Sequence, residues 1–298
     1  MQKLIDNEPE AVTLGFIGTG VMGRSMAGHL LNAGYHLQVF NRTQAKAQPL
    51  LDRGATWADS PAAMARACDV VTTIVGYPQD VESTYLGDDG LLANAKPGTL
   101  FIDMTTSRPD LAERIAAEAG ERGLHALDAP VSGGDVGARE AKLSIMVGGE
   151  RAAFDAALPL FQRMGKNIVH QGPAGSGQYA KMVNQIVIAS SMVAVCEALA
   201  YANKAGLKLE TVLQSISGGA AGSWTLSNLA PRMISGDFDP GFYVKHFIKD
   251  MGIALESAEA MNLDLPGLKL AKKLYDQLAA QGGEDLGTQG LYRLFVEA

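Results

Sequence analysis

Over the first 170 residues, short apolar runs of strand type alternate with longer segments of helical period. Thr13–Ile17, Leu37–Phe40, Val70–Val75, Thr99–Ile102 and Leu124–Leu127 predict strands, as do Ser144–Val147 and Ile168–His170. Between them, Met22–Asn32, Pro61–Ala67 and Arg108–Arg122 carry helical patterns. Ser60 ahead of Pro61, and Ser107, read as helix starts, with serine as cap and Pro61 in a first turn. Gly34, Gly54 and Gly123 read as stops, and Pro49 breaks or kinks the helical stretch after Thr43. Regular strand–helix alternation predicts a mostly parallel, doubly wound sheet.

Beyond Gly177 the period changes and strand-like runs nearly vanish. Gln178–Ala205 predicts one helix about 40 Å long at 1.5 Å per residue. Further helical patterns cover Leu209–Ser217, Thr225–Ile234, Val244–Met261, Pro266–Ala280 and Gln289–Val296. The expected fold class is therefore α/β: a doubly wound domain over 13–174 followed by an all-α domain over 175–298, with a flexible N-terminal extension over 1–12.

Composition narrows the classes. At 298 residues, 47% hydrophobic and 19% charged, the chain can bury a sizeable core and is not of the disordered type. A net charge of −7 and no dense basic run argue against nucleic acid or an anionic membrane as partner. The first twelve residues lack the apolar core of a signal peptide. The run from Ile186 to Ala202 is interrupted by Ser190, Ser191 and Glu197, so no membrane span is expected. Cys68 and Cys196 offer no disulfide framework, which makes a reducing, cytoplasmic setting the expectation. The histidines show no ligand spacing, and no protein metal site is expected.

Candidate chemistry begins after the first strand. Gly18-Thr19-Gly20-Val21-Met22-Gly23 follows a strand and opens a helix, the context in which GxGxxG binds a dinucleotide. Gly18 permits the tight turn, Gly20 lets the backbone approach a pyrophosphate, and Gly23 lets helix pack on strand. The helix N-terminus then offers free N–H groups to phosphates. The second strand ends in Asn41-Arg42-Thr43, where an NAD site usually has an acid for the ribose hydroxyls. A neutral Asn41 followed by Arg42 favours a 2′-phosphate, so NADP(H) is expected to be preferred and NAD(H) possible; Arg42 as a plain surface charge is the alternative. Val75-Gly76-Tyr77 and the loop holding Thr106 lie at strand ends and should border the cofactor. Thr106 either bonds the cofactor or substrate, or caps the next helix. Ser132-Gly133-Gly134 presents a hydroxyl and closely spaced N–H groups, a concave site for a carboxylate or else a simple turn. In GPAGSGQYAKMVN (172–184), a glycine turn leads into the long helix and sets Lys181 and Asn184 on one face. The apolar run that follows implies that this lysine is buried.

Gly18–Gly23, Asp128–Ala138 and 172–184, in this order, resemble the β-hydroxyacid dehydrogenases, a family that includes semialdehyde reductases. Lys249-Asp250 in KHFIKDMGIAL is similar to the family's fourth motif, and the resemblance runs from Thr13 through nearly the whole chain. It implies a Rossmann domain, an all-helical C-terminal domain, and a homodimer or homotetramer assembled through the helices. It implies Lys181 as the catalytic residue beside Asn184, a small substrate's carboxylate on Ser132, Gly133 and Gly134, and Thr106 and Lys249 contacting the cofactor or closing the site. Trp224 and Phe242 align with pocket residues; they form an apolar wall or belong to the core. A lysine ammonium can donate a proton to the developing alkoxide and stabilise it meanwhile. Free lysine titrates near 10.4, and burial or a second cation such as Lys249 would bring it towards neutrality. The expected activity is interconversion of a small 3-hydroxy acid and its aldehyde acid, the substrate lying between the domains. The rivals are a 6-phosphogluconate-oxidising enzyme, which usually has a longer helical domain, an imine reductase, which usually replaces the lysine, and a non-catalytic dinucleotide sensor or scaffold.

Overall fold

A computed structural model describes residues 8–296. Two compact units part between Lys181 and Met182. Of the extension expected over 1–12, residues 1–7 lie outside the described residues, Pro9–Ala11 form a 3-10 turn, and Val12 is buried in the core.

The first unit holds strands β1 (Thr13–Ile17), β2 (His36–Phe40), β3 (Thr56–Trp57), β4 (Val70–Thr73), β5 (Leu100–Asp103), β6 (His125–Asp128), β7 (Val131–Ser132), β8 (Leu143–Gly149) and β9 (Gly165–Gly172). Its helices are α1 (Val21–Asn32), α2 (Pro61–Ala67), α3 (Pro78–Leu86), α4 (Pro109–Glu121), α5 (Gly134–Arg139) and α6 (Arg151–Met164), with short turns between. Six parallel strands run in the order β3-β2-β1-β4-β5-β6. β8 pairs antiparallel with β6 and β7 and parallel with β9. The central strands are buried on both faces because side chains alternate between two cores. Leu100 and Ile102 of β5 enter one core with Phe16, Met26 and Phe161, while Phe101 enters the other with Met64, Val71 and Tyr85.

β3 and β7, two residues each, are too short to leave a periodic signal and were not expected from the pattern. The pattern also omits α3 and α6. Pro159 lies inside α6 and costs about 3 kcal/mol there. Burial of Phe154, Leu160, Phe161 and Met164 offsets it, at roughly 1.5–3 kcal/mol for each large side chain. Ser60 caps α2 as expected, its Oγ accepting from the Ala63 N–H. Ser107 does not cap α4: the N-cap is Arg108, and the buried Ser107 Oγ finds no partner among the described residues, while its N–H donates to Gln178.

The second unit is built on α7 (Ser176–Lys204), a helix of 29 residues whose first turns belong to the first unit. It continues with α8 (Leu209–Ile216), α9 (Trp224–Asn228), α10 (Ala230–Ile234), α11 (Val244–Ala260) and α12 (Pro266–Leu278). The single helix expected over Thr225–Ile234 is two, because Pro231 starts a new first turn. Met192, Cys196 and Leu199 of α7 share a core with Phe247, Met251 and Tyr275. By length and composition alone α7 is apolar enough to cross a membrane, as a core helix also can be, and one face of it forms this core.

Candidate active site

The glycine turn is set by close packing between β1 and its two neighbours. Gly18 has φ of +97°, and a Cβ there would lie 2.0 Å from the Ile74 carbonyl oxygen at the end of β4. A Cβ on Gly23 would lie 1.9 Å from the Gly18 carbonyl oxygen. At Gly20, by contrast, a Cβ would meet nothing within 4 Å, and no side chain caps α1. Thr19 is buried, and its Oγ1 finds no hydrogen-bond partner among the described residues. Val21 and Tyr77 stand exposed on either side of the turn, and Met22 is half-buried. A bare helix start, open space at Gly20 and an orphaned hydroxyl fit a dinucleotide pyrophosphate.

Asn41 has a structural task. Its Oδ1 accepts from the Thr19 N–H at 3.0 Å and its Nδ2 donates to the Thr43 carbonyl at 2.9 Å, tying the glycine turn to the end of β2. Thr43 is exposed at the start of a 3-10 turn. Arg42 is exposed, and its Nη1 lies 2.9 Å from Oδ1 of Asp80 in α3.

The loops after β4 and β5 are joined from beneath. The Val75 N–H donates to Thr105 Oγ1 at 3.0 Å, placing Gly76 and Tyr77 beside the loop that carries Thr106. Buried Asp103 accepts from Thr73 Oγ1 at 2.8 Å and from the Thr105 N–H at 3.1 Å. Burial pushes its carboxyl up to about 6, against the bonds from Thr105 and Thr73 and with a further push from Asp128. Thr106 is half-buried and two residues ahead of the N-cap of α4, so it does not cap that helix.

The start of α7 is fixed by buried polar bonds. Asp128 Oδ1 accepts from the Gly175 N–H and Oδ2 from the Gln178 N–H, each at 2.8 Å. Burial raises the Asp128 pKa, and these N–H bonds oppose the rise. The Gln178 side chain accepts from the Ser107 N–H at 2.9 Å and donates to the Thr105 carbonyl at 2.7 Å. Gly177 is required by contact: a Cβ would lie 2.5 Å from the Met146 carbonyl oxygen and 2.6 Å from that of Asp128. One turn on, Lys181 is 6% exposed and its Nζ donates to the Val131 carbonyl at 2.8 Å. Val131 immediately precedes Ser132, Gly133 and Gly134. The two glycines take φ of +133° and +63° and turn the chain into α5. The first unit thus gathers Lys181 and the Ser132–Gly134 turn, which lie about fifty positions apart in the chain.

The remaining expected site residues belong to the helical unit. Asn184 Nδ2 donates to Gln185 Oε1 at 2.7 Å, and Gln185 Nε2 donates to Asp250 Oδ2 at 2.6 Å. Lys249 Nζ lies 3.1 Å from Asp250 Oδ1. Trp224 is 69% exposed at the start of α9, so it is not a core residue of this unit. Phe242 is partly buried and packs edge-on against Phe247, 5.8 Å between ring centroids. A cavity of about 510 Å³ in this unit, lined by Leu213, Leu226, Pro231 and Ile234 among others, includes none of the expected site residues. Sequence reading assigned no role to Asp103, Asp128, Gln178 or Gln185. Asp128, Gln178 and Gln185 each bond a residue 50 or more positions away, and no local pattern announces them.

Parallel strands in the order 3-2-1-4-5-6 reverse direction of progression beside the glycine turn, and a sheet of this kind binds a dinucleotide there. The class is a nucleotide-dependent oxidoreductase. Residues 13–172 match the family model for the NAD binding domain of 6-phosphogluconate dehydrogenase, and residues 175–295 that for the NAD-binding domain of NADP-dependent 3-hydroxyisobutyrate dehydrogenase. The chain belongs to the β-hydroxyacid dehydrogenase family and is an NAD(P)-dependent oxidoreductase of hydroxy acids. It is 60% identical over 285 residues to the oxidoreductase YkwC of Bacillus subtilis, covering 96% of this chain and 99% of that one. It is 40% identical over 278 residues to 2-hydroxy-3-oxopropionate reductase of Escherichia coli, covering 93% and 95%. The solved structure of Mycobacterium tuberculosis 3-hydroxyisobutyrate dehydrogenase with L-serine is similar at a TM-score of 0.88 and 32% identity, covering 96% and 99%.

Proposed function

We propose that Lys181 moves the proton in the interconversion of a small 3-hydroxy acid and its aldehyde acid, with the substrate carboxylate on Ser132, Gly133 and Gly134. One observation carries this reading: the Lys181 ammonium is buried on the carbonyl of Val131, the residue that leads into that turn. The Val131 bond engages one of three ammonium donors and fixes the direction of the side chain. Burial strengthens any interaction between this ammonium and a substrate oxygen brought to it. The bound nicotinamide supplies or accepts the hydride. In reduction, Lys181 stabilises the negative charge growing on the substrate oxygen and gives it a proton. In oxidation, its neutral amine takes the hydroxyl proton as the C–H bond breaks.

Two relatives, a 2-hydroxy-3-oxopropionate reductase and a 3-hydroxyisobutyrate dehydrogenase solved with L-serine, support a three-carbon acid as substrate. Neutral Asn41 with Arg42 supports preference for NADP(H). We assign Asn184 to the amine or substrate, Thr106 and Lys249 to the cofactor, and Trp224 and Phe242 to the substrate wall. Exposed Val183, Val187 and Tyr201 on α7 support burial of that helix against a second copy, as a homodimer or homotetramer. The unpaired buried cysteines support a cytoplasmic setting. In a panel of small hydroxy acids and semialdehydes with both cofactors, Lys181→Ala should bind NADPH within about twofold of wild type and lose roughly 10³-fold in kcat. Retained turnover would remove Lys181 from the proton path.

A further inference from the structure

The loops after β2 and β4 flank the glycine turn, because β1 lies between those two strands. Arg42 extends from the first loop and Asp80 from α3, which follows the second. Their 2.9 Å ion pair therefore bridges the two walls of the crevice where an adenosine would lie. Asp80 is fixed in place: its Oδ2 accepts from the Tyr77 N–H at 3.1 Å, and its carbonyl accepts from Ser83 and Thr84 hydroxyls. Arg42 is the exposed member, with a side chain 80% exposed against 22% for Asp80. A long exposed guanidinium resting on a fixed carboxylate can be drawn to a stronger anion.

We propose that Asp80 is a specificity-setting residue that lowers this enzyme's discrimination between the two cofactors. The inference rests on Arg42 as the partner of a 2′-phosphate. To reach that dianion, the guanidinium must leave Asp80 or share itself with it, and the Asp80 carboxylate repels the phosphate at the same time. The unphosphorylated cofactor has no such group and does not disturb the pair. With Arg42 alone the preference for the phosphorylated cofactor would be stronger; Asp80 opposite it reduces that preference.

The test measures dissociation constants of NADPH and NADH by titration at two salt concentrations, for wild type, Asp80→Asn, Arg42→Ala and the double variant. Asparagine keeps an oxygen for the Tyr77 N–H, so the start of α3 is retained. Asp80→Asn should tighten NADPH by about three- to tenfold and leave NADH within about twofold. The gain should shrink at high salt and fall to about twofold or less in the Arg42→Ala background. A weaker or unchanged NADPH constant in Asp80→Asn, with Arg42→Ala still abolishing the preference, overturns the role of Asp80 and leaves that of Arg42 standing. An unchanged NADPH-to-NADH ratio in Arg42→Ala overturns the 2′-phosphate reading and this inference with it.

Discussion

Two helices anchored in the same unit begin on opposite terms. α1 starts at Gly20 with no side-chain cap and open space before it. α7 starts against Asp128, whose two oxygens take the N–H groups of Gly175 and Gln178. Each start carries partial positive charge and unpaired N–H groups. At α1 the fold leaves them for an anion from solution, and at α7 a buried carboxylate satisfies them internally. A glycine-rich approach to a helix is thus not in itself a phosphate site. What matters is whether another part of the chain supplies an acid. At α7 that acid makes a rigid platform, and Lys181 stands one turn along it.

Asp128→Ala attacks the closed start and has the largest expected effect on the fold. It strands two buried N–H groups and should cost about 3 kcal/mol in urea unfolding. Asp128→Asn, which keeps one acceptor, should cost visibly less. An alanine variant as stable as wild type would remove the contrast between the two helices.

Asp103 sharpens the same contrast, since it holds the Thr105 loop to which Gln178 bonds. Its carboxyl titrates near 6 in the fold against 3.8 for an ordinary aspartate. Between those values the folded chain binds more protons than the unfolded one, so this group's contribution to stability falls as pH rises from about 4 to about 6. Asp103→Asn should abolish that fall, on the order of 2 kcal/mol. Thermal melts from pH 4 to pH 7 read it directly, and an undiminished slope in the variant would locate the titration elsewhere.

Gly20→Ala probes the open start and has the smallest effect on the fold. The backbone there is in an extended region that alanine adopts, and no protein atom lies in the way. Stability should stay within about 0.5 kcal/mol of wild type, while NADPH and NADH both bind about tenfold more weakly because the added methyl meets the pyrophosphate. Unchanged affinity would mean that phosphates do not approach Gly20.

The open start was legible in the sequence because its determinants are contiguous. Gly18, Gly20 and Gly23 follow an apolar strand directly, and each glycine answers a local steric demand. The same locality made α1, α2, α4, most of the strands and the long helix readable. Two-residue strands and a proline-bearing helix were not, since they are held by neighbours rather than by their own period. Ser107 has the sequence character of a cap, but α4 starts one residue too late for it, and its N–H is held by Gln178, 71 positions away.

From sequence alone came the doubly wound class, the dinucleotide turn, the helical second unit and the singling out of Lys181 within its glycine-led helix. Tertiary structure decided what surrounds them: that Asp128 and Gln178 fix the helix start, that Lys181 rests on Val131 beside the Ser132–Gly134 turn, and that Arg42 is shared with Asp80. The reason is physical. Backbone preference and side-chain period act over a few residues and are written locally. Buried hydrogen bonds, and the exposed Arg42–Asp80 pair, join residues that only the packed sheet brings within 3 Å.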